Sequence, residues 1–313
     1  MKMSKRVLIT GATGFIGREL CRELSNAGYD VLALSRNPEK AKTLLAPDVN
    51  VVQWDARTTG PWADMVSGAL AIVNLAGETI AALRWTAKKK QQILQSRLNL
   101  TNTVAQAVQK AKQKPELVIQ ASGIGFYGDR GDEILDENSS NGTGFLADVA
   151  KQWEGAIQPV EALGVRCVRI RIAVVAGPRG GFMARVLPAF RLFVGGHPGT
   201  GRQWLSWIHL DDVAGAIRFL IENRQLNGAV NLTAPNPLPS KDFYNLLGKQ
   251  MHRPAFFPMP SFFLKLVMGQ MACELLLSGQ RTLPGKLLKA GYEFKYPYAA
   301  SALRSLFTTN THP

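Results

Sequence analysis

The sequence predicts an α/β fold built on a doubly wound, mostly parallel sheet. Two observations support this prediction: short apolar runs alternate with helical patterns along the chain, and a glycine-rich turn joins the first run to the first helix. The apolar runs lack the strict alternation of half-exposed strands, as expected for strands that are covered by helices on both faces. Beside the sheet we expect a smaller, discontinuous C-terminal substrate region.

The apolar and helical patterns also give the bounds of the predicted elements. The predicted strands are Val7–Ile9, Val31–Leu34, Val49–Gln53, Ala71–Asn74, Leu117–Ala121 and Arg166–Ile172. The predicted helices are Ile16–Asn26, Pro38–Leu45, Thr86–Lys112 and Phe145–Leu163.

Loops rich in glycine and proline divide the chain. We predict a sheet domain over residues 1–240, with loops of the substrate region at about 177–204. The proline cluster Pro235–Pro239 marks the boundary before a helical segment at 241–300, and residues 301–313 are expected to be a disordered tail.

Composition excludes several classes of protein. The 313 residues are 46% hydrophobic and 19% charged, which is ordinary for a globular protein. Three widely spaced cysteines indicate a reducing, cytoplasmic compartment rather than a disulfide framework, and four scattered histidines offer no metal-site spacing. The longest uncharged piece near the C-terminal prolines, Pro254–Leu264, is far shorter than the roughly 20 residues of a spanning helix, so we expect no membrane partner.

The charge balance is strongly basic. Lys and Arg number 37 against 23 Asp and Glu, which gives a formal net charge of +14 and permits anionic partners. No nucleic-acid-binding signature accompanies it, and the densest run, Lys88–Lys90, is best interpreted as a solvated helix face. We therefore expect a small-molecule substrate, no nucleic acid partner, and a monomer or homodimer.

The turn after the first predicted strand has the character of a dinucleotide site. Gly11, Gly14 and Gly17 are spaced by three residues, which suits a tight turn, a close approach of backbone amides to a pyrophosphate and close packing of the following helix. An ordinary glycine-rich turn is the alternative, but this one follows a strand and opens a helix, as a Rossmann-like nucleotide site requires. The residues assigned to the cofactor here are Gly11, Thr13, Gly14, Phe15, Ile16 and Gly17.

The end of the second predicted strand favours NADP (as NADPH) over NAD. An acidic residue there would accept the ribose 2′-hydroxyl of NAD, whereas Ser35 and Arg36 stand in that place and Asp30 lies at the opposite end. A guanidinium group can bind a 2′-phosphate through two hydrogen bonds. The alternative is a surface arginine before the next helix.

Two further strand ends are expected to line the same crevice. Asp55 follows the third predicted strand, where its carboxylate can meet an adenine amino group. Leu75, Ala76 and Gly77 follow the fourth and leave room for the adenine ribose and phosphate. Ordinary turn chemistry could account for either.

One charged side chain shares the apolar face of the longest predicted helix. Arg97 is spaced from Ile93, Leu100 and Val104 so that all of them face one way. A buried arginine requires an anion or several acceptors. The hypotheses are an internal ion pair, a cofactor phosphate or an acid group of the substrate.

Several motifs together resemble a known family. The segments Thr10–Gly17, Asn74–Gly77, Phe126–Gly128 and Trp207–Val213 resemble an extended short-chain dehydrogenase/reductase of the NAD-dependent epimerase/dehydratase group. The segments Arg84–Trp85, Ser96–Arg97, Gln203–Trp204, Asn231–Pro237 and Gly279–Arg281 are similar to an atypical subgroup called epimerase family proteins. The resemblance covers nearly the whole chain, including a C-terminal helical segment at about 246–298, and implies a Rossmann-like fold with a nicotinamide cofactor.

The catalytic motif of the resembled family is absent. Active members use Tyr-x-x-x-Lys, in which the tyrosine is the acid/base and the lysine lowers its pKa and holds the nicotinamide ribose. Phe145 and Val149 stand in those places, so Phe145 is expected to contact the cofactor without transferring a proton. Ser122, near the position of the family's Ser/Thr, and Tyr127 are the remaining candidate catalytic residues; Tyr127 could equally be structural.

Two hypotheses of function follow. The first is an NADP-dependent oxidoreductase or isomerase, of the kind that epimerises sugar nucleotides, with an unknown small substrate. The second is a non-catalytic NADP(H)-binding redox sensor or scaffold, which the loss of the tyrosine–lysine pair favours.

Overall fold

The computed structural model describes residues 5–81, 83–178 and 180–308. Its strands are β1 Arg6–Thr10, β2 Asp30–Ser35, β3 Asn50–Gln53, β4 Ala71–Asn74, β5 Leu117–Gly123, β6 Ile134–Leu135, β7 Arg166–Ile172, β8 Val174–Ala176, β9 Trp204–Leu205, β10 Trp207–His209, β11 Gly228–Leu232, β12 Leu238–Pro239 and β13 Arg281–Thr282.

Helices alternate with these strands. The α-helices are α1 Phe15–Asn26, α2 Pro38–Lys42, α3 Ala87–Lys110, α4 Phe145–Gly155, α5 Gln158–Glu161, α6 Met183–Arg191, α7 Leu210–Glu222, α8 Ser240–Met251, α9 Ser261–Met268, α10 Gln270–Ala272, α11 Gly285–Lys289 and α12 Ala299–Thr308. Short 3₁₀ helices lie at Pro61–Val66 and Ile124–Tyr127, and a π-helical turn lies at Cys273–Leu277.

Seven strands form one parallel sheet in the order β11-β7-β5-β4-β1-β2-β3. The strand order reverses direction between β1 and β4, which is where open α/β sheets bind ligands. The sheet is doubly wound, as the sequence predicts: Val7 and Ile9 of β1 face one apolar core, whereas Leu8 faces the other, which it shares with Val104 of α3. Strand residues buried on both faces explain the unbroken apolar runs.

The predicted strands are all present within one or two residues of their expected bounds, and β11 was not predicted. Its sequence begins with a glycine and contains Asn231, so its apolar run is too short to stand out. The predicted helix Phe145–Leu163 is two helices, α4 and α5. Pro159 has no N–H to donate to the carbonyl of Gly155, which ends the first helix.

A third apolar core lies beside the sheet. It joins α6, α8 and α12 through buried residues that include Phe190, Phe243 and Leu303. The predicted disordered tail is wrong for residues 301–308. They belong to helix α12, because the apolar face of α12 packs on α8. Residues 309–313 lie outside the described residues. Within the described ranges, no helix has the length and apolar character needed to cross a bilayer.

Candidate functional site

The glycine turn is closely packed around its own backbone. Gly11 has a φ of +70°, which favours glycine, and the amide of Gly14 donates to the carbonyl of Gly11 at 2.9 Å. A Cβ on Gly17 would lie 2.2 Å from that same carbonyl oxygen. The turn leads directly into α1, which has no acidic residue in its first turn. Its free N–H groups can therefore face an anion.

A hydrogen-bond chain fixes the neighbouring strand end. The Thr10 hydroxyl donates to Asn74 Oδ1 at 2.5 Å and accepts from the Ala76 amide at 3.2 Å. The Asn74 amide in turn donates to Gln120 at 2.9 Å. These bonds join the ends of β1 and β4 to the middle of β5, and they hold the Leu75–Gly77 segment against the glycine turn.

A cavity of about 1520 Å³ opens along these strand ends. Nine of the predicted cofactor residues line it, and it is large enough for much of a dinucleotide. They are Gly11, Thr13, Gly14, Ser35, Arg36, Asp55, Leu75, Ala76 and Gly77. The structure thus brings together residues from four separate stretches of the chain at one edge of the sheet.

The cavity also contains cationic side chains that the sequence analysis missed. Lys40 of α2 and Arg57, from the loop after β3, line it together with Arg36. Lys40 follows Arg36 by four residues, and this spacing could have predicted that both side chains lie at the same site. Arg57 had no such signal, because only the pairing of β2 with β3 brings its loop close.

A polar face of α3 forms part of the same cavity wall. Asn99, Asn102, Thr103 and Gln106 line it, and their spacing places them on one side of the helix. These residues were not predicted, because the apolar face of this helix gives the stronger pattern in the sequence. Amide and hydroxyl groups of this kind can bond to ribose and phosphate oxygens.

Asp55 makes contacts that are internal to its loop. Its carboxylate accepts from the amides of Arg57 and Thr58, both at 2.8 Å, and from the Thr58 hydroxyl at 2.8 Å. These hydrogen bonds lower the pKa of the Asp55 carboxyl. The residue lines the cavity, and it also shapes the loop that carries Arg57.

Five predicted cofactor residues lie outside the cavity lining. Gly17 is buried within the turn, and Ile16 packs against the sheet core. The Phe15 ring lies against Gly177, Gly180 and Gly181: a Cβ on Gly180 would meet it at 2.3 Å. The remaining two, Arg97 and Phe145, have partners within the protein.

The internal ion pair that was one hypothesis for Arg97 is not found among the described residues. The Arg97 guanidinium donates to the carbonyls of Glu78 and Ile93 at 3.0 and 2.9 Å and lies 4.8 Å from the Trp153 ring centroid. Burial lowers its pKa to about 10, so the group remains charged at neutral pH. It also lies 3.4 Å from where a Cβ on Gly77 would be. Arg97 therefore supports the cavity wall from behind.

Phe145 belongs to a small apolar cluster. Its ring meets Trp85 edge-on at 5.0 Å between centroids, and the cluster includes Val149 and Met271. The residues in place of the tyrosine–lysine pair thus pack together with the C-terminal segment.

Ser122 and Tyr127 belong to a buried polar network. The Ser122 hydroxyl donates to Glu154 at 2.7 Å, and Glu154 forms a two-bond ion pair with Arg171, each bond 2.9 Å. Arg171 donates to the Tyr127 hydroxyl at 2.9 Å, and Tyr127 donates to Asn231 at 2.7 Å. Tyr127 is completely buried, which raises the pKa of its phenol. In this arrangement both hydroxyls are used within the protein.

The C-terminal segment contributes a carboxylate to the start of α4. Glu274 accepts from the amides of Phe145 and Leu146 at 3.0 and 2.8 Å. A carboxylate at this position satisfies otherwise unpaired N–H groups and complements the helix dipole. Nothing in the sequence indicated this contact, which joins residues 128 and 129 positions apart.

Comparisons with known proteins agree with this geometry. Residues 7–233 match the model of the NAD dependent epimerase/dehydratase family, and residues 259–306 match a domain of unknown function, DUF1731. The epimerase family protein YfhF of Bacillus subtilis is 40% identical over 301 residues, which are 96% of this chain and 97% of that protein.

Similar proteins occur in distant organisms. The chloroplastic epimerase family protein SDR39U1 homolog of Arabidopsis thaliana is 37% identical over 306 residues, which are 96% of this chain and 86% of that protein. The crystal structure of human epimerase family protein SDR39U1 (isoform 2) with NADPH superimposes with a TM-score of 0.86 at 32% identity, covering 97% of this chain and 99% of that one.

Proposed function

This chain belongs to the NAD dependent epimerase/dehydratase family, and on that premise we propose that it binds NADPH and acts on a small substrate as an oxidoreductase or isomerase. The observation that carries the choice of cofactor is the group of three cations, Arg36, Lys40 and Arg57, around one end of the cavity. No acidic residue follows β2 to accept a ribose 2′-hydroxyl, so NAD is the less favoured cofactor. The human relative that was solved with NADPH supports the same choice.

The residues present fit such a cofactor. The turn at Gly11–Gly17 and the first N–H groups of α1 would hold a pyrophosphate, because Gly11, Thr13 and Gly14 line the cavity and the first turn of α1 contains no acidic residue. Arg36, with Lys40 beside it, would bind a 2′-phosphate. The polar face of α3 would bond to the adenine ribose. When bound, NADPH supplies a hydride from its nicotinamide ring.

Ser122 stays the candidate proton donor, with Tyr127 as a second one. Ser122 lies near the carboxyl end of β5, on the sheet edge that carries the cavity. Its hydroxyl proton is held by Glu154, so a proton passed to a substrate would require that hydrogen bond to open. General acid catalysis of this kind contributes about 10²–10⁴-fold, whereas orientation of the reactants can contribute more.

A second candidate function is a non-catalytic NADP(H)-binding sensor or scaffold. The observation that favours it is the closed network around Ser122 and Tyr127, together with an apolar cluster where the tyrosine–lysine pair would stand.

We further propose a cytoplasmic location, because Cys21, Cys167 and Cys273 are all unpaired.

NADPH oxidation across a broad panel of carbonyl compounds separates the two functions. The enzyme proposal expects turnover by the wild type that Ser122→Ala lowers by about 10²-fold or more, with NADPH affinity unchanged. Ser139→Ala is the matched control, since that half-buried hydroxyl bonds only within the loop around Asp136 rather than to Glu154. Tight NADPH binding without turnover by any variant, including Phe145→Tyr with Val149→Lys, would favour the sensor.

A further inference from the structure

Ten of the sixteen exposed large apolar side chains of the described residues fall in two short stretches. They are residues 192–194 after α6, and the loop and helix at 256–267. The most prominent are Leu192, Phe256, Phe262 and Leu266, which are 70–73% exposed. Scattered apolar residues are ordinary on a protein surface, but a concentration of this size marks an interaction site. We call these two stretches the apolar face.

The two stretches form one continuous surface. The amide of Phe257 donates to the carbonyl of Gly195 at 3.2 Å, and the amide of Met259 donates to the carbonyl of His197 at 3.0 Å. The Arg253 guanidinium lies 4.3 Å from the Phe193 ring centroid. Helix α9 begins two residues after Met259, and only its Leu264 is buried.

The charge around the apolar face has one sign. Arg191, Arg253 and Lys265 lie within or beside it. The sequence contains no Asp or Glu between Glu161 and Asp211 or between Asp242 and Glu274. The apolar face is therefore rimmed by cations, and neither of its two stretches contains a carboxylate that could neutralise them.

We propose that this face docks the protein onto an anionic lipid bilayer, with the aromatic and leucine side chains of α9 and its preceding loop inserted among the lipids. Short surface-lying helices that carry Phe and Leu on one side and Lys or Arg beside them bind in this way. The basic residues are attracted to the negative surface of the cytoplasmic leaflet. The proposal does not depend on the cofactor or on catalysis.

This proposal revises the expectation of no membrane partner. The length of the apolar runs excludes a helix that crosses a bilayer, but it does not exclude a helix that lies on the surface of one. Helix α9 has eight residues and is preceded by Pro258 and Pro260, so it can lie on a bilayer but not cross it.

A second copy of the chain is a poorer occupant. A twofold interface places the same patch of both subunits face to face. The cations Arg191, Arg253 and Lys265 of one copy would then face the equally cationic patch of the other, with no acid in either stretch to pair with them. An anionic bilayer supplies the missing negative charge.

Sedimentation with vesicles tests the proposal. The full chain is mixed with vesicles of phosphatidylcholine containing 30% phosphatidylglycerol and with vesicles of phosphatidylcholine alone. We expect binding to the anionic vesicles, weakened by NaCl, and a loss of about tenfold or more in Phe262→Ser with Leu266→Ser. Lys265→Gln should weaken binding about fivefold.

The matched control is Leu83→Ser, because Leu83 is 72% exposed but lies outside the apolar face. All four positions are exposed, so circular dichroism should show unchanged folding. The proposal is overturned if the folded wild type stays in the supernatant with anionic vesicles, or if Leu83→Ser loses binding as strongly as the α9 variant. It is equally overturned by a dimer in sedimentation velocity that the α9 variant dissociates while vesicles remain unbound.

Discussion

Glu154 and Arg171 are the pair on which the interior of the candidate site depends. Both side chains are less than 10% exposed and are joined by two hydrogen bonds of 2.9 Å. Each also holds a neighbour, since Glu154 accepts from Ser122 and Arg171 donates to Tyr127. The pair therefore sets the position of both candidate catalytic hydroxyls.

Removing the charge of Glu154 should unfold the protein more readily. We expect Glu154→Gln to lower the free energy of unfolding by about 3–5 kcal/mol, because it leaves the buried Arg171 guanidinium without a counter-charge. Urea unfolding followed by circular dichroism measures this. Glu161→Gln is the control. Glu161 and its partner Arg169 are more exposed, so their ion pair should contribute less than about 1 kcal/mol to the free energy of unfolding. Equal effects of the two changes would contradict the role given to the buried pair.

The cavity-lining residues that could be predicted from sequence are those signalled by their neighbours in the chain. The glycine turn and Arg36 follow strands with unbroken apolar runs, so their position at the sheet edge could be predicted. Arg57 could not, because a lone surface arginine has no local pattern. The Ser122–Glu154 contact could not either, since it joins residues 32 positions apart that only the packing of α4 on β5 brings together.

At the level of elements, α4 is held by its contact with the C-terminal segment. Its first amides donate to Glu274, and its apolar face packs on Met271 through the cluster of Trp85 and Phe145. The N-cap position itself is Gly144, which offers no side chain for capping. The carboxylate that replaces a local cap comes from more than a hundred residues away.

Loss of the Glu274 carboxylate should therefore destabilise α4. We expect Glu274→Ala to lower the free energy of unfolding by about 1–2 kcal/mol and to increase hydrogen exchange at the amides of Phe145 and Leu146. Glu293→Ala removes an exposed carboxylate from the same segment and is the control. Unchanged protection of these two amides in Glu274→Ala would contradict the capping role.

Helix bounds show what local sequence could and could not predict. The apolar periodicity from Phe145 to Leu163 is continuous, and it predicts one helix. The missing N–H of Pro159 outweighs it and divides the helix into α4 and α5. Helix α12 was not predicted from its local sequence. Its apolar face is explained by its packing on α8, which the local sequence does not show.

Across the whole molecule, His209 connects the small sheet of β8 and β10 with the last helix, α12. It ends β10 and caps α7, with Nδ1 accepting from the Asp211 amide at 3.1 Å. Its Nε2 lies 3.3 Å from the Ser305 hydroxyl, and its ring lies 4.0 Å from that of Tyr296. Burial lowers the pKa of His209 to about 4, against an opposing effect of Asp211.

This pKa predicts how stability depends on pH. Between about pH 4 and 6.5 the unfolded chain binds a proton at His209 that the folded chain does not, so stability should rise with pH across this range. The contribution is roughly 3 kcal/mol at most. Urea unfolding at pH 4.5 and pH 7 should show a smaller difference for His209→Gln than for the wild type. An identical difference in both proteins would contradict the assignment.

We propose that Arg36, Lys40 and Arg57 in the cavity lining select NADPH, and competitive measurement of NADPH and NADH affinity tests this selection most directly. The wild type should bind NADPH more tightly, and Arg36→Asp should lose that preference by roughly 10–150-fold, because a charged two-bond contact to the phosphate is removed. Lys42→Asp, on α2 with Lys40 but outside the cavity lining, should keep the preference. Equal affinity of the wild type for both cofactors, or a preference that survives in Arg36→Asp, would contradict the account.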